Sequence, residues 1–182
     1  MKKYLIILFV LLLNNTAVGS NKEYIIQNLK SIENLSFNFE QNINGKIENG
    51  NCIIKYPKKI YCKYNLPNKK ILVSNGKSLV VKTLSSYYRY PINKTVLNLI
   101  LDKNFLISQL KKSKGRIVDK KFINFTFNKD ENEINIFFNN SNYDLVGWQT
   151  LDIYQNLNIT FLSSIIKNQN IKKNLFKLPN QN

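Results

Sequence analysis

The 182-residue sequence has no histidine, six glycines, four prolines, two cysteines, one methionine and one tryptophan, and it sets only 11 acidic residues against 27 basic ones. Without histidine there is no Ser-His-Asp or Cys-His catalysis, no imidazole general base and no imidazole metal ligand. The glycines are scattered, and neither the G-x-G-x-x-G nor the P-loop spacing that cradles phosphate is present. Cys52 and Cys62 stand ten positions apart, which fits neither a C-x-x-C redox motif nor the usual zinc spacing. The densest acidic group is Asp130, Glu131 and Glu133. Lying between two alternating apolar runs, "NKDENE" reads as a solvated turn rather than as paired catalytic carboxylates. No apolar run reaches the ~20 residues that span a bilayer as a helix. These absences remove most hydrolase readings and leave nucleotide binding without support, and no catalytic residue, metal ligand or cofactor is expected.

The residues that are present support that reading. A hydrophobic share of 43%, a charged share of 21%, ten tyrosines and eleven phenylalanines describe a globular chain with an aromatic interior or binding face. The length is that of one domain, able to bury roughly two-thirds of the surface its unfolded chain exposes. "MKKYLIILFVLLLNNTAVGS" sets Lys2 and Lys3 before an apolar run from Tyr4 to Leu13 and the small residues Ala17, Gly19 and Ser20. This is the pattern of a secretory signal over residues 1–20, leaving 21–182 as a single exported domain. No cysteine follows the leader to receive a lipid, so a soluble mature protein is expected. The net charge of +16 falls by two when the leader is removed. Export argues against nucleic acid as a partner, so the basic surface suits anionic membranes or acidic proteins. In an oxidising compartment Cys52 and Cys62 read as a structural disulfide, with a free or catalytic thiol as the alternative.

Periodicity divides the chain into elements. Ile25, Ile26, Leu29 and Ile32 lie at helical spacing over 22–32. "NLSFNFEQN" then alternates Leu35, Phe37 and Phe39 with polar residues, which is a half-buried strand. Further strands are expected at 47–56, 60–65, 70–74, 77–84 and 86–90. In the first two of these, Cys52, Ile54 and Tyr56 share a face, as do Ile60, Cys62 and Tyr64, and a hairpin through Pro57 and Lys58 sets Cys52 opposite Cys62. "SNGK" at 74–77 reads as a two-residue type I′ turn with Leu72 and Leu79 as neighbours. From 95 to 112 the spacing turns helical, with a break near Asp102–Asn104. Strands resume at 116–128, 133–138, 144–154 and 158–164. The expected fold is α+β, a single long curved antiparallel sheet, or incomplete barrel, with an N-terminal helix and short lid helices on its concave face.

This order of elements resembles the periplasmic outer-membrane lipoprotein carrier family, LolA. "LSFNFEQ" at 35–41 is similar to the family's first strand. "GNCIIKYPKKIYCKYNLPNKKILVSNGKSLVV" at 50–81 follows its pattern of glycine, apolar strand, turn proline, apolar strand, proline and hairpin, and "GWQTLDIYQNLNITFL" and "FKLP" also fit. The resemblance implies a monomer in the periplasm that shields the acyl chains of lipoproteins. Its partners would be acylated lipoproteins, an inner-membrane ABC lipoprotein exporter and an outer-membrane acceptor lipoprotein. A periplasmic lipid-sensing regulatory domain of the same fold is the alternative.

Face parity and the resemblance together put Phe37, Phe39, Ile54, Tyr56, Ile60, Tyr64, Leu72 and Val81 on the sheet side of the lipid-binding cavity, with Leu97, Ile100, Leu101 and Phe105 in the lid. Two departures stand out. Tyr56 occupies the place before the turn proline where the family commonly has an arginine that fastens the lid; its hydroxyl could bond a helix carbonyl there only without charge, and the sequence leaves open whether it replaces that latch. Cys52 and Cys62 stand where the family has apolar or aromatic residues, which implies a covalent staple in place of packing.

Overall fold

In the computed structural model, which describes residues 16–129, 132–151 and 156–181, the alternating runs are strands and the helically spaced runs are helices. Most of the expected leader, Asp130 and Glu131 of the acidic turn, and residues 152–154 of the strand expected at 144–154 lie outside the described residues. The N-terminal helix α1, Thr16–Ser31, starts earlier than its apolar spacing indicates. Next come β1 (Asn34–Ile43), β2 (Lys46–Lys55), β3 (Lys59–Tyr64), β4 (Ile71–Asn75), β5 (Ser78–Lys82) and β6 (Tyr87–Pro91). A helical insert follows, with a 3-10 turn at Ile92–Lys94, α2 (Leu97–Ile100) and α3 (Lys103–Lys112). The chain ends with β7 (Arg116–Val118), β8 (Phe122–Lys129), β9 (Asn132–Asn139), β10 (Leu145–Leu151) and β11 (Leu157–Lys167).

All eleven described strands form one antiparallel sheet in the order β6-β5-β4-β3-β2-β1-β11-β10-β9-β8-β7. Two meanders therefore meet at β1, which pairs with β2 on one side and β11 on the other. Among the described residues β6 and β7 are unpaired edges, so the barrel is incomplete. Strand twist, with register shifts at Ser36/Asn38 and Leu145/Gly147, curves the sheet. Its inner face carries Leu35, Phe37, Phe39, Ile54, Ile60, Phe125, Ile136 and Phe138, all buried in one cluster with Ile25 and Leu29 of α1 and Leu106 and Leu110 of α3.

Beyond β11 the chain turns back over the outer face. Asn34 and Gln169 exchange hydrogen bonds, Asn34 Nδ2 to the Gln169 carbonyl and the Gln169 N–H to Asn34 Oδ1. At the far end Lys82 Nζ donates to the Asn180 carbonyl at 2.7 Å. Ile171, Leu175, Phe176 and Leu178 are half-buried along this path, on the face where Val73 and Val80 are buried. The "FKLP" segment thus belongs to a strap.

Two local expectations are corrected. The run expected as one strand at 116–128 is two, because Asp119 and Lys120 both take positive φ and turn the chain between β7 and β8. The β4–β5 connection is centred on Gly76 and Lys77 rather than on Asn75 and Gly76, since only Gly76 of the three has positive φ (95°). Asn75 Oδ1 instead accepts from the Lys77 and Ser78 N–H groups at 3.0 Å each. Leu72 consequently pairs with Val81, and Leu79 with Ser74. The faces are unchanged, because the shift is by an even number of residues.

Candidate functional site

The β2–β3 hairpin places the expected residues as parity requires. Cys52 is directly opposite Cys62, with Cα atoms 4.1 Å apart, and the two form a disulfide. Ile54 faces Ile60, and Gly50 faces Tyr64. A side chain at Gly50 would strike the Lys63 carbonyl oxygen, 2.1 Å from where its Cβ would stand, and the Phe39 ring at 2.9 Å. The bare backbone there lets Phe39 lie edge-on to Tyr64, ring centres 4.9 Å apart.

Eleven of the twelve expected lining and lid residues belong to one apolar assembly. Phe37, Phe39, Ile54, Ile60, Tyr64, Ile100 and Leu101 are buried within it, and Tyr56, Leu72, Leu97 and Phe105 pack against it. Val81 is the exception, half-exposed beside Tyr88 near the β6 edge. Ile25, Leu29, Leu106 and Leu110 fill the same space although they were assigned no part in the site. Their helical spacing carried the signal, but spacing alone does not say which sheet face a helix covers. In this state the inner face is packed shut against α1 and the insert.

Besides its apolar burial, the insert has polar fastenings that come mainly from lysines. The Lys58 N–H donates to the Leu101 carbonyl at 2.9 Å, and Lys58 Nζ lies 3.4 Å from Asp102 Oδ2. The Lys58 carbonyl in turn accepts from Ser74 Oγ at 2.8 Å. Asp102 also caps α3, its Oδ1 accepting the Phe105 N–H at 3.1 Å. Lys103 Nζ reaches the Ile32 carbonyl at 2.8 Å and the Lys30 carbonyl at 3.2 Å at the end of α1. Lys22 Nζ reaches the Ser113 carbonyl at 2.8 Å just beyond α3. Lys58 and Asp102 were missed as site residues. The only sequence signs were an aspartate at a helix start and a lysine after the turn proline.

Tyr56 does not replace the family's arginine latch. Its N–H donates to the Glu33 carbonyl at 3.0 Å, but its hydroxyl is buried without a hydrogen-bond partner. Burial pushes the phenol well above its ordinary range. Asn98 Oδ1 of α2 is likewise buried and unpartnered, so the two do not meet. The lid is fastened at the next turn residue, by Lys58, because the hairpin points the Tyr56 side chain inward and the Lys58 backbone toward the insert.

A polar group lies at the other end of β1. Gln41 Nε2 donates to Asn158 Oδ1 and Thr160 Oγ1, and Tyr64 OH approaches Gln41 Oε1 at 3.5 Å. Glu48, nearly buried, pairs with Lys46 and Lys70. Burial alone would raise its carboxyl pKa, but hydrogen bonds and charge from the two lysines outweigh that and hold it below the usual range. Two clefts open elsewhere. One, of about 640 Å³, lies on the outer face over Asn38, Glu40, Asn49 and Asn51. The other, of about 210 Å³, is lined by Glu33, Lys55, Tyr56, Pro57, Asp102, Lys103 and Asn104. Among the described residues no group of three or more acidic, cysteine or histidine side chains is placed to hold a metal.

An unclosed antiparallel barrel whose inner apolar face is covered by an N-terminal helix and a short helical insert defines the LolA-like fold class. The sequence model of the outer membrane lipoprotein carrier protein LolA matches residues 30–179, and the chain belongs to that family. No curated protein matches it in sequence. Among solved structures, MucB superposes with a TM-score of 0.51 at 7% identity, over 92% of this chain and 65% of MucB. A LolA superfamily protein from Nitrosomonas europaea gives 0.49 at 9% identity, over 88% of this chain and 97% of that one. The Mycobacterium tuberculosis lipoprotein LppX gives 0.47 at 12%, over 87% and 100%. At these identities the likeness is one of fold.

Proposed function

We propose that this protein is a periplasmic carrier that takes the acyl chains of lipoproteins into its apolar interior and ferries them from an inner-membrane exporter to the outer membrane. The observation that carries the reading is the construction of the lid. A large apolar interior is covered by an insert whose polar fastenings are a few lysine contacts, joined to the sheet by the chain at either end. One acyl chain of ~14 methylenes costs on the order of 11 kcal/mol to bring from lipid into water. A carrier must offset most of that with apolar surface and still release its load, which an interior opened by a hinged insert provides. In the closed state Phe37, Phe39, Ile54, Ile60 and Tyr64 are buried in one assembly with residues of the protein's own helices. Loading exchanges those contacts for acyl chains as Leu97, Ile100, Leu101 and Phe105 move away with the insert. The cargo itself, the exporter and an outer-membrane acceptor are the partners this reading requires.

Purification from the native periplasm, followed by identification of bound material, tests it. Triacylated proteins in the preparation are the expected result. Their absence from a protein that also fails to take up a fluorescent acyl probe would remove the reading.

The fold likeness to MucB favours a second one, a lipid-sensing regulatory domain, since the Pseudomonas aeruginosa MucB occurs in a complex with MucA. Capture from envelope extracts separates the two. A carrier retains an ABC exporter, whereas a sensor retains a regulatory membrane protein.

A further inference from the structure

A tyrosine at a protein surface normally buries its ring and leaves its hydroxyl in water or on a partner. Tyr64 obeys this rule, its hydroxyl meeting Gln41 Oε1. Tyr56 inverts it. The residue lines the 210 Å³ cleft, with Lys103 Nζ 5.7 Å from its ring centre, and packs against the apolar assembly, yet its hydroxyl is buried and finds no partner. Its parity with Cys52 and Ile54 aims it at the inner face, beneath the insert whose Leu101 carbonyl is already taken by the Lys58 N–H. A buried donor without an acceptor is a cost to the closed state, one that phenylalanine in the same place would not carry.

We infer that the Tyr56 hydroxyl is a specificity-determining donor for the carbonyl oxygen of a fatty acyl group, unpartnered while the chamber is closed and satisfied when an acylated guest enters. The inference rests on the carrier reading and adds to it the recognition of a polar atom. Acyl chains offer an interior of this kind only methylene groups, apart from the ester or amide carbonyl at the head of each chain. Such a carbonyl is an acceptor without a proton, which suits a phenol that has one to give. Burial holds the phenol protonated across the physiological range, so the donor is always available. Hydrophobic area would then set how tightly the guest is held, and Tyr56 how deeply its head enters.

The test compares a diacyl phosphatidylcholine with its dialkyl ether counterpart, which has the same chains without carbonyls, on the wild-type protein and on Tyr56→Phe. Wild type is expected to prefer the ester lipid by about fivefold, the worth of one neutral hydrogen bond. Tyr56→Phe is expected to bind both equally, near the wild-type affinity for the ether. Equal binding of the two lipids by wild type, or a preference that survives in Tyr56→Phe, overturns the inference while leaving the carrier reading in place. Failure of wild type to bind either lipid removes both. A second readout needs no ligand: removing an unsatisfied hydroxyl should leave the melting temperature of the empty Tyr56→Phe protein at or above that of wild type. A fall of several degrees would show that the hydroxyl has a partner in the closed state, and would also overturn the inference.

Discussion

Single residues decide how this interior meets water. Glu48 is the clearest case, a carboxylate only 5% exposed and held charged by Lys46 and Lys70. Because its folded pKa lies below the unfolded one, its contribution is present above the unfolded carboxylate range and is lost as pH falls through the folded value. Glu48→Gln should therefore lower stability at neutral pH by on the order of 1–3 kcal/mol, the worth of a hydrogen-bonded charge. The difference from wild type should shrink toward zero in acid, and chemical denaturation at a series of pH values checks it. Ile60 gives the opposite lesson. At 2% exposure it cannot be replaced by a charge without opening the core, so the part in binding proposed for it has to be probed by changes that keep it apolar. The place of Ile60 on the inner face was visible in the sequence as face parity, whereas the ion pairs of Glu48 were not. What parity could not tell was which buried side chain would lack a partner, because that depends on atoms from Glu33, Leu101 and Asn98, far from Tyr56 along the chain.

At the scale of elements, the β2–β3 hairpin is the best-determined part of the molecule. Its alternation fixes the faces, and the Cys52–Cys62 bond fixes the register. Closing a loop of this length restricts the unfolded chain by about 2–3 kcal/mol. The double change Cys52→Ser and Cys62→Ser should accordingly lower the melting temperature by about 5–10 °C, measured by circular dichroism, with no change in strand content. The β4–β5 hairpin shows where local reading reaches its limit. Asn-Gly invites a type I′ turn, but the Asn75 side chain takes up the Lys77 and Ser78 N–H groups and the turn moves one residue along. The C-terminal strap was harder still, since "NLFKLP" has no periodicity and its place is set by bonds to Asn34 and Lys82.

The whole molecule combines a sheet that is bonded from edge to edge with an insert fastened at a few points. β1 is hydrogen-bonded along both sides, whereas the amides at the end of α2 depend on the Lys58–Leu101 contact, the Lys58–Asp102 pair and apolar packing. Opening of the insert should then be a sub-global event that leaves the sheet intact. Native-state hydrogen exchange should show the amides of Ile100 and Leu101 exchanging well before those of Phe37 and Phe39. Equal protection at both places would mean that the lid opens only when the protein unfolds, which is incompatible with carriage.

By itself the sequence determined the type and order of most elements, the buried faces of β1, β2 and β3, the placing of the two cysteines opposite each other across a hairpin and the lack of any histidine. Those properties are written in residue identity and in periods of two and 3.6, and they need no knowledge of distant neighbours. Only the tertiary structure decided that Lys58 rather than Tyr56 fastens the insert, that the Tyr56 hydroxyl is left without a partner, and that the tail straps the outer face. Each of these depends on groups brought together from far along the chain when the two meanders close around β1, and such meetings are set by how the elements pack.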